Sequence, residues 1–386
     1  MKKGLLALAF GGLSIGMTEF TMMGILPDIA ADMGLKIPVA AHLIALYALG
    51  VFVGAPILVL CTGKLAPKKI LISLMLVFFV FNGIFALAHN YWSMQLARFM
   101  SGLPHGAFFG VGSVVAAKMA PTGKKAQYIS IMFTGMTVAN LLGVPLGTYL
   151  GHHYSWKITY AIISFFGLLT SFTLYFWLPD ISSDPSNKVV QQLSYFKKSE
   201  AWLLVVLISI GTGGLFAWIS YISPLVTKVS GIIESRVPII MFLVGLGMFF
   251  GNLLGGKLAD SISPTKASMI CFFSMSICLI LVYFTSPIQW TAYPMAFITG
   301  VISFTIGSPI QMMLIRSAEG AETIAAAAGQ ACFNMGNTLG AYLGGIPITL
   351  GLAYSTPLLV GSGLSFMGLV GSFIFYKTML VNKNKS

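Results

Sequence analysis

Residues 179 to 200 read PDISSDPSNKVVQQLSYFKKSE, the one long polar stretch in an otherwise apolar chain. On both sides lie apolar runs of about 20 residues, the length an α-helix needs to cross a bilayer core of roughly 30 Å. Counting outward before the stretch gives six, at roughly 4–27, 39–61, 70–88, 93–117, 126–150 and 157–178. Six more follow it, at roughly 201–226, 237–256, 267–286, 291–315, 324–350 and 356–376. The sequence therefore predicts an all-α membrane protein with a six-helix half at 1–178, a cytoplasmic linker at 179–200 and a second six-helix half at 201–386.

The composition agrees. Of 386 residues, 57% are hydrophobic and only 8% charged, whereas a soluble domain carries about a quarter charged residues. Glycine is frequent, 42 in all, and suits close helix approach in lipid, where the hydrophobic effect does not draw helices together. A net charge of +12 would suggest nucleic acid in a soluble chain, but these basic residues fall in short loops between apolar runs. That makes them orientation signals, and no nucleic-acid partner is expected. The four cysteines, Cys61, Cys271, Cys278 and Cys332, are scattered singly and form neither a metal motif nor a disulfide framework. The start, MKKGLLALAFGGLSIG, resembles a signal peptide, yet the apolar run continues to Pro27 with no small-residue cleavage site. An uncleaved first span is the reading.

Of the 22 Lys and Arg, 17 fall on the side of the N-terminus and four (Lys36, Lys157, Lys228 and Arg236) on the other, with Arg98 inside a span. Basic loops stay in the cytoplasm, so both termini are expected there. The halves also repeat. One offset of 197 residues places Gly50 and Gly54 on Gly247 and Gly251, Gly34 on Gly231, and Asn140, Gly143 and Gly147 on Asn337, Gly340 and Gly344. Six spans separate the copies, so the repeat is parallel, as in transporters whose halves rock around a midplane site.

Several stretches carry a family resemblance: GMTEF in the first span, YALGVFVGAP in the second, RFMSGLPHGAFFGVG in the fourth and GMTVANLLGVPLGTYLG in the fifth. FAWISYISP, FLVGLGM, GNLLGGKLAD and TLGLAY continue it in the second half. The chain resembles the major facilitator superfamily, of the twelve-span drug:proton antiporter type. The resemblance implies two pseudo-symmetric bundles around a central cavity, export of a small-molecule solute in exchange for protons, a monomer, a bacterial inner membrane with its lipid, and no cofactor. It places the span-four signature at Arg98 and Gly102 and the antiporter signature at Gly135, Gly143, Pro145, Gly147 and Gly151, a face that shapes helix packing. The loop signature falls on Gly256, Lys257, Leu258, Ala259 and Asp260; its first-half copy departs, with Gly63 where the acid belongs and Ala66 for a glycine.

Ten acids are present, and nine fall in loops or at span ends; Glu19 alone lies at depth. A charge at the bilayer centre costs at least about 2.5–3.5 kcal/mol. A carboxyl can shed that cost by binding a proton, and a group that is protonated when dry and ionised when wet can carry one. Glu19 is the candidate proton carrier, with Arg98 as its electrostatic partner; a structural carboxyl paired with Arg98 or capped by Thr18 and Thr21 is the plainer alternative. Arg98, Gly102, His105, Phe109 and Gly112 share a helical face, and Pro104 is expected to kink that helix. Candidate solute contacts are Met22, Met23, His105, Asn140, Trp218, Tyr221, Gln330, Asn334 and Asn337, each of which also suits helix packing. No paired acids, nucleophile and base, or metal-ligand spacing occurs inside the spans, so neither an enzyme nor a metal is expected. A proton-independent facilitator or importer of a sugar or nucleoside is the rival within transport, since a uniporter has no use for a titrating Glu19.

Overall fold

The computed structural model describes residues 2–62, 65–121, 125–180, 194–318 and 322–383. Among them every regular element is helical, and the helices fall into twelve spans in two compact units, Met1–Val189 and Val190–Ser386.

In the first unit the first span is Lys2–Gly24, which breaks at Ile25 and resumes as the short helix Leu26–Asp32. The second, third and fourth are Ile37–Thr62, Pro67–Ala86 and Tyr91–Met119. The fifth runs as Lys125–Val138, a π-helical turn Ala139–Gly143, and Val144–His153; the sixth is Trp156–Trp177. In the second unit the seventh span is broken into Ser199–Gly211, Gly213–Ile219 and Ile222–Pro224, and ends in a π turn Leu225–Val229. The eighth is Val237–Ser261 and the ninth Pro264–Thr285. The tenth joins Ala292–Thr305 to Gly307–Ser317, the eleventh is Glu322–Thr349, and the twelfth Pro357–Lys383.

Local chemistry sets several of these boundaries. Pro67 and Pro264 open the third and ninth spans, where a missing N–H costs nothing. Ser155 and Ser263 cap the sixth and ninth by accepting from Lys157 and Lys266 backbone N–H groups at 3.2 and 3.3 Å. The fourth span runs through Pro104 as one helix. Asp28 and Asp32 occupy the short helix after the first span, not a loop: Asp28 pairs with His152 at 2.8 Å, and Asp32 with Lys157 at 3.4 Å while accepting from Trp156 Nε1 at 2.9 Å.

Ten of the twelve spans are long and apolar enough to cross a membrane. The fourth and eleventh fall short among the described residues, and they hold Arg98 and His105 in one and Gln330, Asn334 and Asn337 in the other.

The internal repeat holds at the level of backbone geometry. A Cβ at Gly102 would strike the carbonyl of Tyr47, and a Cβ at Gly50 or Gly54 the carbonyls of Phe99 or Leu103, so the second and fourth spans touch through their backbones. In the second unit Gly247 and Gly251 meet Phe297 and Val301 carbonyls in the same way, and Gly300 meets that of Val244. Gly34 and Gly231, one offset apart, both take left-handed φ angles, 61° and 70°, that close the turn after their helices.

Before the seventh span, a single turn Ser194–Lys197 buries Tyr195, whose hydroxyl meets Ser317 Oγ at 2.7 Å at the end of the tenth. Replacing Tyr195 with phenylalanine leaves the ring packed and removes this one bond, while Ser317 still donates to Leu314 carbonyl at 2.9 Å. Thermal unfolding in detergent should show about 1 kcal/mol lost; an unchanged transition would mean that bond adds nothing.

Candidate functional site

Arg98 decides the first-unit site. Its guanidinium is wholly buried, and its carbon lies 4.3 Å from the ring centroid of Tyr47 and 5.6 Å from those of both Phe85 and Tyr160. Nε donates to Leu43 carbonyl at 3.3 Å, and Nη1 donates to Thr18 twice, to its carbonyl at 3.3 Å and its Oγ1 at 3.1 Å. A permanent cation at membrane depth is tolerable when π faces and carbonyl dipoles surround it. The close approach at Gly102 brings the second span near enough for Tyr47 to lie against the guanidinium.

Thr18 is bonded further. Its hydroxyl donates to Asn82 Oδ1 at 2.6 Å, Asn82 Nδ2 donates to Phe78 carbonyl at 2.8 Å, and Tyr160 hydroxyl donates to Thr18 carbonyl at 3.4 Å. Spans one, three, four and six thus converge on one residue. Glu19 follows it directly, is 3% exposed, and lies with Arg98 within electrostatic range of Tyr47. On the other side of this cluster, Tyr47 hydroxyl and His105 Nδ1 are 3.2 Å apart, and His105 Nε2 is buried with no hydrogen-bond partner. Met22 and Met23 are fully buried farther along the first span.

The antiporter glycines face the first span. A Cβ at Gly135 would strike Ala9 carbonyl, at Gly143 it would meet Met17 side chain at 2.7 Å, and at Gly147 that of Thr21 at 2.7 Å. Pro145 stands in the first turn after the π turn, whose extra residue absorbs the missing N–H. Asn140 lies inside that π turn, buried, with Oδ1 unpartnered. Its repeat mate Asn337 sits in an unbroken α-helix, so equal register gives unequal local backbone.

In the second unit Gln330 carbonyl accepts from Asn334 Nδ2 at 3.0 Å, and Asn334 Oδ1 has no partner. Asn337 is fully buried with both amide atoms unpartnered. Tyr221 hydroxyl donates to Ala341 carbonyl at 2.7 Å and so ties the seventh span to the eleventh. Trp218 is buried and borders a small cleft with Ser230, Ser286 and Met295. Gly256 and Asp260 fall in the last turns of the eighth span, where a loop was expected; the side chain of Asp260, like Gly63 and Lys64 of the first-half copy, lies outside the described residues.

Tyr47, Asn82 and Tyr160 did not stand out in the sequence. Asn82 had a signal, a lone amide in the apolar run VFFVFNGIFA; the two tyrosines had none, since aromatics are common in every span. Among the described residues no group of three His, Cys, Asp or Glu is placed to hold a metal.

A family model described as Major Facilitator Superfamily matches residues 8–341. The chain is 40% identical to the Putative transporter AraJ of Escherichia coli (strain K12) over 376 residues, covering 97% of this chain and 95% of that one. It is 27% identical to a Probable sugar efflux transporter of Helicobacter acinonychis (strain Sheeba), covering 91% and 90%. A solved D-xylose-proton symporter shares the fold with a TM-score of 0.74, covering 97% of both chains at 15% identity. Twelve helical spans in two six-span units, the repeated glycine contacts and the family match together place this chain in the major facilitator superfamily, as a transporter and not an enzyme.

Proposed function

We propose that this transporter is a secondary active carrier that exports a small organic solute, sugar or drug-like, in exchange for protons. The observation that carries the reading is the burial of Glu19 beside a residue to which Arg98 is bonded from another span. A carboxyl there interconverts between a neutral state and a charged state that a nearby cation favours, and each state suits a different occupant. The relative named as a sugar efflux transporter supports export and a polyhydroxylated solute. The unpartnered amide atoms of Asn337 and Asn334 offer hydrogen bonds of the kind a solute hydroxyl uses. His105, Asn140, Gln330, Trp218, Met22 and Met23 remain candidate solute contacts, whereas the hydroxyl of Tyr221 is already bonded within its own unit. Both termini are taken to be cytoplasmic, from the basic-loop bias, and the working unit to be one chain.

The test is proton movement in proteoliposomes while a panel of sugars and lipophilic cations is added, with wild type beside Glu19→Gln. Solute-dependent proton flux in the wild type that is abolished in the variant is the expected result. Solute movement by both proteins without protons would instead make the chain a facilitator and Glu19 a structural carboxyl.

A further inference from the structure

We propose that Asn82 is a positioning residue for the proton site: through the hydroxyl of Thr18 it holds Arg98 against the peptide that carries Glu19. This rests on the reading of Glu19 as the proton carrier.

The direction of each hydrogen bond is fixed by chemistry. Asn82 Nδ2 donates to Phe78 carbonyl, which can only accept, so Oδ1 must be the atom turned to Thr18. An amide oxygen carries no hydrogen, so the 2.6 Å contact requires the Thr18 hydroxyl to donate. With its one hydrogen committed to Asn82, Thr18 Oγ1 presents only lone pairs to Arg98 Nη1 at 3.1 Å. The same nitrogen reaches the Thr18 carbonyl, which belongs to the Thr18–Glu19 peptide, and Tyr160 hydroxyl reaches that carbonyl from the sixth span.

Other buried threonines of this chain show what Thr18 would do without Asn82. Thr148, Thr170 and Thr212 each turn the hydroxyl back to the carbonyl four residues earlier in their own helix. That is the default for a threonine in an apolar span. At Thr18 it would draw Oγ1 along its own helix and take one of the Arg98 bonds away. Asn82 outcompetes that default, and its remaining amide group is spent on its own helix. The titratable and charged groups around the relay are Glu19 on the first span, Tyr47 on the second, Arg98 on the fourth and Tyr160 on the sixth.

The test needs no solute. In reconstituted full-length protein, the infrared carboxyl band that disappears in Glu19→Gln is followed as a function of pH. Asn82→Leu and Thr18→Val should each move its midpoint by about one pH unit, the scale on which a displaced neighbouring cation acts. Thr18→Ser, which keeps the hydroxyl, should restore the wild-type midpoint, which a purely structural role would not require. A midpoint unchanged in both Asn82→Leu and Thr18→Val overturns the proposal while leaving Glu19 as the proton carrier. A band that never titrates in the wild type overturns both. If Asn82→Leu fails to fold, Thr18→Val, nearly isosteric with threonine, decides alone.

Discussion

A single methyl group at Gly135 is expected to separate the first and fifth spans. The Cβ of Gly135→Ala would overlap the carbonyl of Ala9 and stand 2.8 Å from Leu13 backbone nitrogen. These are backbone atoms, with no rotamer to yield, so the helices themselves must move. Overpacking a tight contact costs about 1–3 kcal/mol, and a backbone obstacle puts this site at the upper end of that range. Gly143, which ends the π turn, and Gly147 beyond it pack on Met17 and Thr21, so the shift propagates toward Glu19. Gly363 provides the control, because a Cβ there meets nothing within 4 Å. Thermal unfolding in detergent should show a large loss for Gly135→Ala and a change within about 0.5 kcal/mol for Gly363→Ala. Equal stability of the two variants would mean that the glycine face of the fifth span is not a packing surface.

Arg98→Lys keeps the charge and should still fail. An ammonium is a compact point charge, whereas the guanidinium is a plane that lies against Tyr47 while its separate nitrogens reach Leu43 and Thr18. A lysine ammonium can keep the two bonds to Thr18, but neither the one to Leu43 nor the planar contact. Losing one charge-assisted hydrogen bond and most of the ring interaction costs about 2–4 kcal/mol. Melting temperature and solute-driven proton flux in proteoliposomes should both fall, the flux by about tenfold or more, a factor equivalent to about 1.4 kcal/mol. Wild-type flux in Arg98→Lys would show that only the charge matters and that the aromatic cage is incidental.

The extent to which the site could be read from the sequence follows from the kind of signal each residue gives. Glu19 and Arg98 were visible because a charge in an apolar run stands out whatever surrounds it. Asn82 was equally isolated in its run, but amides so often join helices that only its bond to Thr18 distinguishes it. Tyr47 and Tyr160 were invisible: among 14 tyrosines nothing marks the two whose rings enclose a cation. His105 was picked out for its helical face, yet its partner, Tyr47 on another span, depends on the glycine contacts between the second and fourth spans.

The sequence by itself determined the twelve spans and the register of the repeat, because bilayer thickness and small-residue spacing are one-dimensional constraints. It also singled out the one acid at depth. The tertiary structure decided what holds that acid's neighbourhood in place. Thr18, Asn82, Arg98 and Tyr160 are separated by up to 142 positions in the chain and meet within hydrogen-bond reach. Hydrogen bonds and cation–π contacts act over a few ångströms and depend on direction, so no pattern along the chain encodes them. The same holds for the π turn at Asn140, which its repeat mate Asn337 lacks although the two occupy the same register.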